Sequence, residues 1–316
     1  MKRITKIEKN YVLNALSNEF RTSLNGTYTK KLENDFAKRF NNKYAISHTN
    51  GTATMHTALA ALGINKKDEV IVPPLTMSST ALSVLHNQSV PIFADVDKKT
   101  FNISATSIAK CITPKTKAII TVSLYGLAPD YDEILKICKK HSLFLIEDNA
   151  ECFLGYYRNK VVGSFGDFSS FSFQASKHIT CGEGGILLTN NEDLADKARQ
   201  FNSLGYAGVS SKKGKISKSD IQDPNYDRHI TLGFNYRMSD INAAVALGQL
   251  ERLEELVDQR KKVGKLFNLV IDDVSFIEKQ FVPKHYIHSY WTFAFIINTD
   301  NCSKDWFEFR NIFRKN

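Results

Sequence analysis

Short apolar runs alternate with longer segments of helical periodicity along most of the chain. Seven runs are typical of strands, at residues 44–47, 69–72, 91–94, 118–122, 144–148, 168–172 and 185–188. Between them, helical spacing of apolar positions occurs over residues 52–62, 77–85, 104–112, 131–141 and 191–203. Alternation of strands with helices is typical of a mostly parallel sheet with helices on both faces. The pattern therefore predicts an α/β fold built on a seven-stranded sheet.

A further helical pattern begins after Ser239 and continues to about residue 268. It is long enough to link a large domain to a smaller one. We therefore expect a large domain over residues 1–245, with an N-terminal arm, and a small C-terminal domain over residues 246–316.

Composition and charge argue against several classes of protein. The 316 residues are 42% hydrophobic and 24% charged, with a net charge of +9, and the lysines are scattered among acids. This arrangement favours a solvated basic surface over a nucleic-acid partner. No apolar run approaches a membrane span or the core of a signal peptide, so the expected location is the cytoplasm. Five cysteines without close pairing predict neither a disulfide framework nor a structural zinc site.

Lys177 and Asp148 carry the strongest chemical signal. Lys177 precedes a glycine-rich segment at residues 182–185, and Asp148 ends an apolar run. A lysine amine can hold the aldehyde of pyridoxal phosphate as a Schiff base, and a carboxylate can keep the cofactor's pyridine nitrogen protonated. Ligands of open parallel sheets gather at the carboxyl ends of the strands, where Asp148 is expected. Taken alone, Asp148 is equally well read as a loop or helix-cap aspartate.

A candidate phosphate site precedes the first predicted helix of the sheet region. Gly51, Thr52 and Ala53 follow a predicted strand and open a helix, whose backbone N–H groups and dipole favour an anion. Ser172 lies five residues before Lys177 and offers a hydroxyl to the same phosphate. Taken alone, the first segment is a favourable helix start, and Ser172 is a strand-end serine.

Several motifs in order along the chain carry a resemblance to a known family. They are residues 50–53 (Asn-Gly-Thr-Ala), 69–73 (Glu-Val-Ile-Val-Pro), 93–97 (Phe-Ala-Asp-Val-Asp), 147–148 (Glu-Asp), Lys177 with residues 182–185 (Gly-Glu-Gly-Gly), and 233–239 (Gly-Phe-Asn-Tyr-Arg-Met-Ser). The chain resembles the DegT/DnrJ/EryC1/StrS family of sugar aminotransferases. The resemblance extends from about residue 25 to about residue 250, and more weakly beyond.

The resemblance implies a fold type I enzyme that uses pyridoxal phosphate and forms a homodimer with active sites at the subunit interface. It assigns Lys177 as the Schiff-base lysine and proton carrier, and Asp148 as the partner of the pyridine nitrogen. It assigns the phosphate to Gly51, Thr52, Ala53 and Ser172. Asn235 is expected to reach the phosphate in the neighbouring subunit, and Arg237 to lie near the substrate entrance.

Three features depart from the family pattern. Met77 stands where the family usually has an aromatic residue stacked on the cofactor ring, and a thioether also packs on such a face. Glu151 stands where relatives often carry glutamine or histidine near the phenolic oxygen of the cofactor. The family normally continues for several tens of residues beyond the helical pattern at 305–313, so we expect an incomplete small domain with an uncovered apolar run at 293–297.

The resemblance implies transfer of an amino group from glutamate to a keto group of a nucleotide-linked deoxysugar, for a surface polysaccharide such as O-antigen or another modified sugar. Tyr28, Tyr206, His229 and the basic loop 212–218 are candidates for contact with the sugar or its diphosphate. No nucleic acid, membrane or metal is expected at the site.

Two alternatives remain open. One is a sugar dehydratase of the same family, in which histidine replaces the lysine; His178 follows Lys177, but Lys177 occupies the lysine position. The other is a non-catalytic, truncated paralogue that keeps the fold.

Overall fold

The computed structural model describes residues 2–19, 26–210, 218–302 and 304–315. Most of the basic loop at 212–218 therefore lies outside the described residues. The helices are α1 (Lys6–Ser17), α2 (Thr27–Arg39), α3 (Gly51–Ala61), α4 (Ser79–His86), α5 (Ala105–Cys111), α6 (Tyr131–His141), α7 (Glu192–Asn202), α8 (Lys218–Gln222), α9 (Asp240–Leu250), α10 (Leu253–Ile271) and α11 (Trp306–Lys315). The strands are β1 (Tyr44–His48), β2 (Glu69–Val72), β3 (Val90–Phe93), β4 (Thr116–Val122), β5 (Phe144–Asp148), β6 (Tyr156–Tyr157), β7 (Lys160–Val161), β8 (Phe168–Ser172), β9 (Gly185–Thr189), β10 (Ile277–Lys279), β11 (Tyr286–Ile287) and β12 (Phe295–Ile297).

Seven strands form the main sheet, in the order β1-β9-β8-β5-β4-β2-β3. The strands from β8 to β3 are parallel, whereas β9 pairs antiparallel with both β8 and β1. The predicted α/β fold with a seven-stranded, mostly parallel sheet is confirmed. Each of the seven predicted runs coincides with one of these strands to within about two residues, the accuracy that pattern reasoning allows.

Helices cover both faces of the sheet and explain the continuous apolar runs in its strands. In β2, Val70 and Val72 face one core cluster, which includes Leu59 of α3. Ile71 faces the opposite cluster, which includes Ile134 of α6. A parallel strand buried on both faces needs apolar residues at successive positions. The carboxyl ends of the strands are thereby fixed at one edge, where the candidate site residues follow.

The helical pattern predicted to run from Ser239 to about residue 268 is two helices in the structure. α9 ends at Leu250 and α10 begins at Leu253. Arg252 has φ −111° and ψ 14° at the junction, and its guanidinium donates to Glu8 and Glu255 at 3.0 and 3.2 Å. The bend thus places Arg252 between α1 and α10, which apolar periodicity alone does not reveal.

The C-terminal elements form a smaller layer. β12 pairs antiparallel with β10, and Ile296 within the predicted uncovered run is 43% exposed. Leu253 and Val257 of α10 belong to the same core cluster as α2 and α9, and the predicted division of domains at residues 245 and 246 stays a prediction. Within the described residues, no helix has the length and hydropathy required to cross a membrane.

Candidate active site

Lys177 lies in the loop between β8 and β9, and its amine is enclosed. Its Nζ atom is 3.3 Å from Oε1 of Glu151 and 4.2 Å from the centre of the Trp291 ring. The side chain of Lys177 is only 12% exposed. Glu151 follows β5, so the carboxyl end of the sheet brings this carboxylate to the lysine, a contact that the sequence did not predict. The indole adds a cation–π contact that holds the ammonium in one place.

Asp148 is the last residue of β5 and is 5% exposed. Its Oδ2 accepts a hydrogen bond from Thr80 Oγ1 at 2.9 Å, and its Oδ1 accepts one from the Ala150 amide at 3.2 Å. Burial raises the pKa of Asp148, although both bonds and the charge of Lys177 oppose this. Among the described residues, no cation forms an ion pair with Asp148. The carboxylate is therefore suited to a cationic N–H group from a ligand.

Glu151 is held from two sides. Its Oε2 accepts the backbone N–H of Tyr125 at 3.0 Å, while Oε1 faces Lys177. Burial raises the pKa of Glu151, and the charge of Lys177 and the Tyr125 amide lower it. Tyr125 adopts φ 60°, a left-handed conformation that is uncommon for a residue with a side chain. That conformation aims its amide at the carboxylate.

The candidate phosphate site is formed where α3 begins, beside the end of β8. Asn50 caps α3 by accepting the Ala53 amide at 2.8 Å. A Cβ at Gly51 would lie 2.9 Å from Cβ of Ser172, so only glycine allows this approach. Ser172 Oγ accepts the Gln174 amide at 3.3 Å and keeps its own proton to donate. Gly51 and Thr52 in the first turn add backbone N–H groups that the helix leaves without partners.

The segment at 233–239 lies beside β1 and α7. Asn235 pairs with Ser203, and Arg237 pairs with His48, through isolated β-bridges. The side chain of Asn235 is exposed, while Nη1 of Arg237 is buried without a hydrogen-bond partner among the described residues. Their predicted contacts with a neighbouring subunit and with the substrate stay predictions.

Three other predicted residues lie apart from the lysine. Met77 precedes α4 and is 68% exposed. Tyr28 is buried in the core, where its hydroxyl donates to Asn14 at 3.0 Å; this gives it a structural role, and its predicted substrate contact gains no support. His229 donates from Nδ1 to the Leu204 carbonyl at 2.8 Å, and its ring lies tilted against Tyr206 with the ring centres 4.9 Å apart.

Sequence reasoning missed two residues that touch this group. Thr80 lies one turn after Met77, among several serines in the predicted helix at 77–85, so the sequence does not distinguish it; the structure shows that its hydroxyl is fully buried. Trp291 lies more than one hundred residues from Lys177 in the chain. Only the tertiary structure brings it to the amine.

An enclosed lysine amine and a buried aspartate at the carboxyl edge of a mostly parallel sheet are the arrangement of the fold type I class of pyridoxal phosphate-dependent proteins. The chain belongs to the DegT/DnrJ/EryC1/StrS aminotransferase family, which it matches over residues 2–310.

Relatives and solved structures agree with this assignment. The chain is 44% identical over 207 residues to the GDP-perosamine synthase of Caulobacter vibrioides, covering 65% of this chain and 52% of the relative. It is similar to the structure of an aminotransferase from Psychrobacter cryohalolentis, with a TM-score of 0.84, 32% identity, and coverage of 96% of this chain and 78% of that one. An E. coli GDP-4-keto-6-deoxy-D-mannose-3-dehydratase with bound hydrated PLP has a TM-score of 0.84, 28% identity, and coverage of 94% and 77%. The chain matches 62% of the length of the first curated relatives.

Pyridoxal phosphate is the cofactor of this site. The residues fit it on three grounds. Asp148 is a buried carboxylate that forms no ion pair within the described residues, the glycine at 51 leaves a cradle that a Cβ would fill, and the Lys177 amine is enclosed beside Glu151.

Proposed function

We propose that this chain is an aminotransferase that moves an amino group from glutamate to a keto group of a nucleotide-linked deoxysugar. The observation that carries the proposal is the position of the Lys177 amine, which is enclosed by the Glu151 carboxylate and the Trp291 ring. A single amine held at a fixed point, next to a buried acid, is the arrangement that a proton carrier requires.

Each residue has a distinct task in this proposal. The cofactor, when bound, supplies an electron sink. Asp148 accepts the N–H of the cofactor ring, with its orientation fixed by Thr80 and the Ala150 amide. Lys177 would hold the cofactor aldehyde, and its Nζ would carry the proton to and from the reacting carbon. Gly51, Thr52 and Ser172 would hold the phosphate and so fix the position of the cofactor.

The substrate class comes from the named relatives. A GDP-perosamine synthase at 44% identity favours a GDP-linked sugar as the acceptor. Glutamate as donor, assembly as a homodimer, completion of the site by the partner's Asn235, and a cytoplasmic location belong to the same proposal. The exposed position of Asn235 in a single chain is consistent with that assembly.

The dehydratase alternative requires a histidine in the place of the lysine amine. His178 is adjacent in sequence, but its side chain points elsewhere: it is 2% exposed and its Nε2 donates to the Ser289 carbonyl at 3.0 Å. This orientation supports Lys177 as the residue that faces the cofactor, and hence transamination.

The test is the visible absorption spectrum of the purified protein with pyridoxal phosphate, followed by glutamate. We expect a band that bleaches with glutamate, that is lost in Lys177→Ala, and that is retained in Lys136→Ala, a matched change at an exposed lysine. Bound cofactor without the band in the native sequence would instead favour the dehydratase. A band that glutamate leaves unchanged would favour the non-catalytic paralogue or another donor.

A further inference from the structure

A cavity borders the loop that carries Lys177, since His178 of that loop lines it. It has a volume of about 470 Å³ and is open to solvent on one side. Its walls include Arg3, His178, Arg260 and Trp291, with apolar surface from Phe267 and Tyr290. Neither Lys177, Asp148 nor Glu151 lines it. The size suits a small molecule.

Two guanidinium groups meet in this cavity. Arg260 donates from Nη2 to the carbonyls of Ser176 and Lys177 at 2.9 and 3.3 Å, and from Nη1 to the carbonyl of Trp291. Arg3 also donates to the Lys177 carbonyl. A guanidinium has five N–H groups, so each arginine keeps donors that these carbonyls do not use.

The two arginines have no carboxylate to balance them. Among the described residues, neither forms an ion pair. Burial lowers the pKa of both groups, and the charge of Arg3 further lowers the pKa of Arg260. Two neighbouring cations partly removed from water are stabilised by a bound anion.

His178 lines the same cavity and carries a buried hydrogen-bond acceptor. A carbonyl oxygen only accepts hydrogen bonds, so the bond to Ser289 O places the proton of the ring on Nε2. Burial lowers the pKa of His178 to about 3, and the ring is therefore neutral at physiological pH. Its Nδ1 is then an acceptor, and this atom is buried without a partner among the described residues. A ligand that donates one hydrogen bond would satisfy it.

We propose that this cavity binds a small anion that also carries a hydrogen-bond donor, with the anion on Arg3 and Arg260 and the donor on Nδ1 of His178. Phosphate groups that retain a proton and free amino acids share this chemistry. The Trp291 indole lines the cavity, lies 4.2 Å from the Lys177 amine and donates to the Ser176 carbonyl at 3.0 Å. A ligand bound in this cavity would therefore act on the loop that positions Lys177. The inference stands on these contacts and does not depend on transamination.

The test is calorimetric titration of the cofactor-loaded protein with three separate probes: inorganic phosphate, L-glutamate and sulfate. Loading with cofactor keeps phosphate away from the site at Gly51. We expect phosphate or glutamate to bind, and sulfate, which has no proton to donate at neutral pH, to bind at least about fivefold more weakly because His178 then lacks its partner. Binding by phosphate identifies a phosphate-type ligand. Glutamate also meets the cofactor as the proposed amino donor, so only glutamate binding that Val263→Trp weakens identifies an amino acid in this cavity.

Matched variants show where the probe binds. Arg260→Met should weaken the affinity for the probe by about tenfold or more, since a charge-assisted bond is lost. Lys262→Met also removes one positive charge, but from an exposed position of the same helix, and should change the affinity by less than about twofold. Val263→Trp fills the cavity without touching the arginine bonds and should also weaken binding, so a folding defect in Arg260→Met does not decide the result. The proposal is overturned if neither phosphate nor glutamate binds, if Val263→Trp and Arg260→Met both bind as the native protein does, or if sulfate binds as tightly as the better of the other two probes.

Discussion

The Nζ atom of Lys177 lies 3.3 Å from Oε1 of Glu151, and the two side chains are only 12% and 10% exposed. A carboxylate so close to the amine makes the charge state of the site depend on two ionisations instead of one.

Replacement of Glu151 by glutamine should simplify the pH dependence of the site. Burial raises the pKa of Glu151, so its ionisation occurs nearer to neutral pH than that of an ordinary glutamate. In Glu151→Gln this ionisation is absent, and we expect the visible band of the bound cofactor to change less with pH on the acidic side. A spectral titration of both proteins checks this. Glu151→Asp is the control, because it keeps an ionisable group. Identical titrations for the native protein and Glu151→Gln would contradict the expectation.

Asp148 should reduce the stability of the cofactor-free protein as pH rises. Burial raises its folded pKa above the ordinary value of 3.8. A carboxyl group whose pKa is higher in the folded than in the unfolded protein favours folding while it is protonated. This contribution to the free energy of unfolding is fully present below the unfolded pKa and is lost as pH rises through the folded pKa. We therefore expect cofactor-free Asp148→Asn to melt at a higher temperature than the native protein at about pH 8, with a difference that shrinks toward about pH 4. Thermal melts across this range test it. A difference in melting temperature that does not vary with pH would show that the ionisation of Asp148 does not cause it.

Thr80 should orient Asp148 for cofactor binding. Its hydroxyl is fully buried and donates to Asp148 Oδ2 at 2.9 Å. A hydrogen bond to a charged group contributes about 1.5–3 kcal/mol, so Thr80→Val should weaken cofactor binding by about tenfold or more. Thr80→Ser keeps the hydroxyl and should bind within about threefold of the native protein. Cofactor titration followed by fluorescence separates the two. Equal weakening in both variants would point to packing around the methyl group instead.

The sheet could be predicted from sequence because parallel strands buried on both faces require unbroken apolar runs. The same argument placed Asp148 correctly, since it ends such a run. Helices α1 and α2 were not predicted. In α1 only Glu8 and Ala15 are buried, so this helix lacks the apolar stripe from which periodicity is recognised.

The rest of the site depends on contacts between distant parts of the chain. Lys177 and Glu151 were both identified, but their contact follows from the conformation of two loops. Trp291 arrives from the C-terminal layer, and Arg260 arrives from α10 after the break at Arg252. Sequence motifs record residue types along one segment, whereas these contacts are fixed by how the layers pack.

Gly51 should be required for cofactor binding for a steric reason. A Cβ at this position would lie 2.9 Å from Ser172 Cβ, so Gly51→Ala must push the start of α3 away from β8. Forced overpacking typically costs about 1–3 kcal/mol, and we expect about tenfold weaker cofactor binding. Adding Ser172→Gly removes the opposing Cβ. If sterics are the cause, the double variant should bind more tightly than Gly51→Ala does, although Ser172→Gly alone weakens binding. A double variant that binds no better would refute the steric account.

Glu8 should contribute stability that is lost in acid. The residue is 1% exposed, accepts the Thr5 amide at 2.7 Å and pairs with Arg252 at 3.0 Å. Burial opposes its ionisation, but hydrogen bonds from Thr5 and Gln249 lower the pKa of Glu8 from 4.5 to about 2. A lowered folded pKa stabilises the protein above the unfolded pKa, and this contribution is lost as pH falls toward the folded value.

Because Arg252 keeps Glu255 as a carboxylate partner and loses only the charge-assisted bond to Glu8, Glu8→Gln should reduce the free energy of unfolding at pH 7 by about 1.5–3 kcal/mol. The difference from the native protein should shrink as pH falls below about 4.5, the range in which Glu8 loses its advantage. Glu254→Gln is the control, since Glu254 pairs with Arg39 at the surface and should change the value by less than about 1 kcal/mol. Urea unfolding at neutral and acidic pH measures the free energy of unfolding of the native protein and of both variants. An equal loss for Glu8→Gln at both pH values would mean that packing at the junction of α1 and α9, and not the charge of Glu8, holds the N-terminal helix.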